Sequence, residues 1–309
     1  MNEFELIKSY FEWPLNDPTI ELGVGDDAAL FSIEPDQQLV TSTDTLSENV
    51  HFFKDALAGD IAYKALAVNM SDIAAMGAIG KCFTLSLTLP RLDENWLTSF
   101  SASLREASQI FNVNLIGGDT TKGPLNITIS IMGVIEKSKA IKRSGAKNGD
   151  DIYVSGFIGD AALCLKKINE GIKPSDYELK RLHRPVPRLG LGNALKNIAN
   201  SCIDISDGLD QDLTHILESS NVGASIDIKK MPLSQSLKEY LHKTQDWSVP
   251  LCGGDDYELC FTSDKSNENE ILKLSESLKI EITKVGVIDN TKILKINGYD
   301  GERASYQHF

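Results

Sequence analysis

Six short segments of this chain set aspartates among glycines, serines and threonines beside apolar runs. They read GVGDDAAL at 23–30, TSTDTL at 41–46, VNMSDIAAMGA at 68–78, LIGGDTTKG at 115–123, IDISDGL at 203–209 and GGDDYELCF at 253–261. Carboxylates collected at the ends of apolar strands repel one another unless a hard divalent cation sits among them. Oxygen-only donor sets suit Mg²⁺ or Mn²⁺. The chain is therefore expected to hold metal ions together with something phosphorylated.

Composition bounds the rest. A chain of 309 residues exceeds the usual size of one hydrophobic core, so two domains are expected, and 41% hydrophobic content fills both. Net charge is −13, from 31 Lys+Arg against 44 Asp+Glu. That balance speaks against a nucleic-acid partner, whose phosphates are bound by clustered cations. Cys82, Cys164, Cys202, Cys252 and Cys260 show no CxxC spacing and read as buried thiols in a reducing compartment. The start, MNEFELIKSYF, has no apolar signal core, and no stretch approaches 18 uninterrupted apolar residues. A cytoplasmic protein with no membrane partner is expected.

The hydrophobic pattern predicts mixed α and β structure throughout, with no internal repeat. Strands are expected at 39–45, 83–89, 127–135, 151–155, 202–206, 224–228, 257–262, 282–288 and 293–296. Helices are expected at 60–76, 93–111, 159–169, 188–199, 208–219 and 267–279. The segment EKSKAIKRSGAKNGDD at 136–151 has charge and glycine but no apolar period, which places a domain boundary there: 1–137 and 138–309. The first domain should be rich in strands, and the second should alternate strand and helix.

Individual motifs carry both a chemical and a plain reading. Ile61, Ala65, Val68, Asp72 and Ala75 share one face of helix 60–76, so Asp72 falls in an apolar stripe, where a carboxylate needs a partner or a metal. A slight roll of the helix would instead expose it. Asp119 should emerge as a strand ends after Leu115-Ile116, where Gly117 and Gly118 let backbone N–H groups approach a phosphate; an ordinary Gly-Asp turn is the alternative. Asp26 and Asp27 could likewise cap a turn. In IDISDGL, Asp204, Ser206 and Asp207 gather where a strand meets a helix N-terminus, a position suited to phosphate oxygens, although Asp207 could equally be the helix N-cap. His51, seven residues after Asp44, is the one histidine near a motif.

Familiar nucleotide signatures are missing. There is no P-loop, GVGDDA lacks the third glycine of a dinucleotide loop, no kinase HRD or DFG set is present, and neither an EF-hand nor an aspartic-protease motif occurs.

The strings GVGDDAAL, STDTL followed by His51-Phe52, AYKALAVNMSDIAAMGA, LIGGDTTKGPL, RSGAKNGD, IDISDGL and GGDDYEL, in this order and over nearly the whole chain, resemble the thiamine-monophosphate kinase family. That family belongs to the aminoimidazole ribonucleotide synthetase and selenophosphate synthetase superfamily. The resemblance implies a two-domain α/β (α+β) synthetase-type fold: an N-terminal domain that pairs across a homodimer through its sheet, a C-terminal α/β domain, and ATP bound in the cleft between domain and partner. It implies ATP-dependent phosphorylation of thiamine monophosphate to the diphosphate by direct in-line transfer.

Carried over by position, the resemblance makes Asp27, Thr43, Asp44, Asp72, Asp119, Asp204 and Asp207 ligands of several Mg²⁺ ions, with Ser42 adjacent. Gly118, Arg143 and Ser206 would contact ATP, and His51, Asp255 and Tyr306 the thiamine phosphate; Asp72, Asp119, Asp207 and Arg143 would carry the catalysis. One departure stands out: the family commonly reads GGEDYEL, and here the third position is Asp255, so that Asp256 or Glu258 could share its role. Tyr306 rests on the short match YQHF. Two rivals remain: another ATP-dependent reaction of the superfamily, of the selenophosphate or aminoimidazole ribonucleotide type, and a non-catalytic nucleotide and Mg²⁺ sensor.

Overall fold

The computed structural model describes residues 3–303. The chain divides into two compact units, one made of the residues up to Ile73 with Ala78–Ser138, the other of Ala74–Gly77 with the chain from Lys139 onward.

The first unit contains α1 (Glu3–Tyr10), β1 (Ile20–Leu22), β2 (Leu30–Phe31), β3 (Gln37–Ser47), α2 (Ala58–Ala75), β4 (Ile79–Leu89), α3 (Glu94–Phe111), β5 (Asn114–Lys122) and β6 (Asn126–Glu136). Its main sheet has the order β3-β6-β4-β5, antiparallel except for the parallel pair β4–β5. On β6, Ile127, Ile129 and Ile131 alternate with Thr128 and Ser130, and all three isoleucines are fully buried. Burying a side chain of that size is worth roughly 1.5–3 kcal/mol, so the alternation sets the register of the sheet. Against this apolar face lies α2, whose Met70 and Ile73 approach Gly80 and Gly133. Ser103 Oγ on α3 donates to Gly59 O of α2 at 2.7 Å and ties the two helices together. A short hairpin, β1–β2, packs Ile20 against Cys82 and Ile116.

The second unit contains β7 (Asp151–Ser155), α4 (Asp160–Asn169), α5 (Asp176–His183), α6 (Leu189–Leu195), β8 (Ala199–Asp204), α7 (Leu209–Ser220), β9 (Gly223–Asp227), α8 (Gln235–Thr244), α9 (Ser248–Cys252), β10 (Leu259–Ser263), α10 (Glu268–Leu278), β11 (Ile282–Asp289) and β12 (Leu294–Asn297). Its sheet has the order β12-β9-β11-β7-β10-β8, with only the β12–β9 pair parallel. Ile152 and Val154 of β7 belong to one apolar cluster and Tyr153 to another, so the sheet is covered on both faces. That is why Ile152, Tyr153 and Val154 of β7 form an unbroken apolar run.

Several elements escape the sequence pattern, namely α1, the β1–β2 hairpin, α5, α8 and α9. Helix α5 is anchored by a capping box in which Ser175 and Glu178 satisfy each other's backbone N–H groups, a signal present in SDYE at 175–178. Among the described residues no helix is long and apolar enough to cross a membrane. All five cysteines are free and buried.

Candidate active site

In the first unit, strand alternation decides which hydroxyls and carboxylates meet. Ser42 and Asp44 of β3 turn toward α2, where Ser42 Oγ donates to Asp72 Oδ2 at 2.5 Å. The Asp44 N–H donates to Oδ1 of the buried Asn69 at 3.2 Å, and Asn69 Nδ2 in turn donates to Ala65 O at 2.9 Å. Burial, and then the negative charge of Asp72 beside it, push the Asp44 carboxyl up to about 7. Two acids held this close fit a site for a hard cation.

The same alternation turns Thr43 the other way, and its hydroxyl bonds Ser130 Oγ at 2.9 Å. Helix α2 is buried on all sides from Ile61 to Ser71, so the expected apolar stripe is no boundary between core and solvent; Asp72 is half-buried at the end of this run.

Asp119 does not mark the end of a strand. β5 continues to Lys122, and the register sets Asp119 in one row with Ser86, Thr128 and Thr45. Thr45 and Thr128 share a hydroxyl hydrogen bond at 2.8 Å. This row lies on the sheet face opposite to Ser42 and Asp44, and Asp119 is exposed. At Gly118 a Cβ would stand 1.9 Å from Leu85 O, so glycine is required there by close strand approach. Asp27 is exposed in the hairpin loop, its N–H bonded to Asp26 Oδ1 at 2.8 Å. His51 Nδ1 accepts the Ser47 N–H at 3.1 Å, so the neutral ring carries its proton on Nε2.

In the second unit, Asp204 closes β8 and is buried, while Ser206 and Asp207 form the turn into α7. The turn differs from expectation in two ways. Asp207 is not the N-cap: Gly208 takes that position, and Asp207 Oδ2 accepts from Gln211 Nε2 at 3.0 Å. Nor are the N–H groups open to a phosphate. Asp212 Oδ2, from the first turn of α7, accepts the N–H groups of Ser206, Asp207 and Gly208 at 3.0, 3.0 and 3.1 Å. Burial lifts the Asp212 carboxyl to about 7, with the charge of Asp207 adding and the three N–H bonds opposing. Asp212 is the residue that motif reading missed, although SDGLDQD carries it in plain view.

Asp255 lies beside this turn, its N–H donating to Ser206 O at 2.9 Å. Its carboxylate accepts the Tyr257 hydroxyl at 2.9 Å. Asp256 and Glu258 do not share its position: both are buried, Asp256 accepting the Gly159 N–H and Glu258 bound to Arg188 and Arg181. Arg143 is exposed, and Tyr306 lies outside the described residues. Among the described residues, no group of three His, Cys, Asp or Glu side chains is arranged to hold a metal ion.

Residues 25–135 match the family model for the N-terminal domain of AIR synthase related protein, and residues 147–298 match that for its C-terminal domain. The thiamine-monophosphate kinase of Haemophilus influenzae is 46% identical over 94% of this chain and 90% of that protein. The chain belongs to the thiamine-monophosphate kinase family. Its Bacillus subtilis member is 36% identical, with each sequence covered in full. Among solved structures of this family, the enzyme from Stenotrophomonas maltophilia superposes with a TM-score of 0.86 at 42% identity, covering 93% of each chain. AaThiL complexed with AMPPCP and TMP superposes with a TM-score of 0.81 at 29% identity, covering 99% of this chain and 96% of that one.

Proposed function

We propose that this chain transfers the γ-phosphoryl group of ATP to thiamine monophosphate, giving thiamine diphosphate in one in-line step. The observation that carries this reading is the match, over nearly the full length, to thiamine-monophosphate kinases, together with the likeness to AaThiL, which was solved with AMPPCP and TMP. The residues support the chemistry. A phosphate monoester has a second pKa of about 6, so the acceptor arrives with its nucleophilic oxygen already charged and no dedicated base is needed. What the site must supply is counter-charge and alignment.

Asp27, Ser42, Thr43, Asp44, Asp72, Asp119, Asp204 and Asp207 are proposed to hold several Mg²⁺ ions. The best-supported part of that set is the Ser42–Asp44–Asp72 group, where two crowded carboxylates offer oxygens to a cation. Bound Mg²⁺ supplies charge neutralisation between donor and acceptor phosphates. Arg143 and Ser206, with Gly118, are assigned to ATP, Arg143 by a bidentate clamp on phosphate oxygens. His51, Asp255 and Tyr306 are assigned to the acceptor, His51 offering an N–H donor at Nε2. We further infer a cytoplasmic homodimer formed through the first sheet, the domains being 1–137 and 138–309.

The test is turnover with ATP, Mg²⁺ and either thiamine monophosphate or thiamine, with products identified by mass spectrometry. Thiamine diphosphate from the first and almost no product from the second is expected. Comparable phosphorylation of thiamine refutes the charged-nucleophile argument, and ATP consumption with neither acceptor favours another reaction of the superfamily.

A further inference from the structure

The segment 253–258 holds a backbone that its side chains would not choose. Asp255 and Tyr257 have φ of 67° and 52°, the left-handed region that non-glycine residues rarely occupy. Such conformations persist only where the surroundings over-determine them. Here the surroundings are explicit. The segment runs along 204–206, with Tyr257 N–H donating to Ile205 O and Ile205 N–H to Glu258 O, both at 2.8 Å. A Cβ at Gly254 would stand 2.0 Å from Ser206 O, so the crossing is as tight as backbone allows.

The side chains flanking Tyr257 are pinned from behind. Asp256 accepts the Gly159 N–H on both oxygens, at 3.0 and 2.8 Å. Glu258 accepts Arg188 Nε and Nη2 in a fork at 2.5 Å each, and Ser155 Oγ at 2.7 Å. Arg181 adds Nη1 at 3.2 Å from Glu258, and its Nη2 donates to the carbonyls of Phe157 and Asp256. Arg188 itself follows Pro185 and Pro187, which limit the freedom of the backbone that presents it. Glu258 is fully buried, so its charge is compensated only while the arginines stay in place, and this ties the position of its backbone to theirs. The carboxylate of Asp255 accepts the Tyr257 hydroxyl at 2.9 Å, within the same turn.

We propose that Arg188, acting through Glu258, is a positioning residue that sets acceptor affinity by holding the turn on which Asp255 is presented. This rests on the reading that Asp255 meets the acceptor. Arg188 touches neither substrate. The guanidinium fork, and not charge alone, does the holding, because a lysine ammonium offers no matched pair of donors to both carboxylate oxygens.

The experiment compares Arg188→Lys, Asp255→Asn and the double variant with the unaltered protein. Arg188→Lys is expected to raise the KM for thiamine monophosphate about tenfold while the KM for ATP and kcat stay within about twofold. On the Asp255→Asn background the same change should add less than about twofold, since its target is already lost. Amide hydrogen exchange, followed by NMR without substrates, should accelerate at Asp255 and Tyr257 and stay slow along β10. Equal rises in both KM values, multiplying effects in the double variant, or unchanged exchange at Asp255 and Tyr257 would each overturn the proposal. Absence of turnover by the unaltered protein sinks the functional reading instead, and exchange at the two amides still decides whether Arg188 holds the turn.

Discussion

The Ser42 hydroxyl donates to Asp72 Oδ2 across 2.5 Å, tying the edge strand β3 to the half-buried end of α2. Asp44, two residues further along the same strand face, is pushed up to about 7 by burial and by Asp72. A strand period of two and a helix that is buried over most of its length thus bring two acids together.

Replacing Asp72, Asp119 or Asp207 by Asn keeps the approximate volume and removes the charge. Each change should lower kcat at least about a hundredfold, as loss of electrostatic stabilisation commonly does. Higher Mg²⁺ should partly restore the rate. Steady-state rates across an Mg²⁺ titration check this, and near-normal activity with unchanged Mg²⁺ dependence in all three variants removes them from the site.

Asp212 should matter through the turn that it gathers. Asp212→Ala strips the acceptor from three backbone N–H groups and is expected to cost about 1–3 kcal/mol of stability, together with a fall in turnover as Ser206 and Asp207 lose their setting. Asp212→Asn keeps a carbonyl acceptor and should recover most of the stability. Urea denaturation of both variants measures the difference, and coincident midpoints with the unaltered protein would show that water replaces the carboxylate without loss.

The two substrate regions should separate. His51→Ala and Asp255→Ala are expected to weaken thiamine monophosphate while ATP binds almost as before, and Arg143→Ala should do the reverse. Calorimetric titration with each ligand decides it. Equal losses for both ligands in every variant contradict the division.

The thiols should be silent in the native protein. Burial raises Cys82 from the ordinary 9.0 to about 12 and lifts Cys202 well above its ordinary range. The sign follows from solvation: the thiolate is the charged form, so burial disfavours it, and at pH 8 the Cys82 thiolate is scarcer than that of a free thiol by about a thousandfold. Native protein should release almost no thionitrobenzoate from Ellman's reagent, and denatured protein should react at all five cysteines. Fast reaction at any one of them in the native state would show a local opening.

Much of this was legible in the chain itself. The isoleucines of β6 and the apolar run of β7 identify strands because burial on one face or on two leaves its period in the residues. The aspartate motifs, in their order, pointed to the family that the full-length match to thiamine-monophosphate kinases shows. Tertiary structure alone decided which groups face one another. Thr43 and Asp44 are neighbours in sequence and lie on opposite faces of a sheet. The N–H groups ahead of α7 belong to Asp212, and in GGDDYEL Asp256 is held by the Gly159 N–H and Glu258 by Arg188 and Arg181, while Asp255 accepts the Tyr257 hydroxyl. Local spacing cannot reveal such choices, since they depend on strand register and on partners such as Arg188 and Glu258, 70 residues apart, that meet only when the chain is folded.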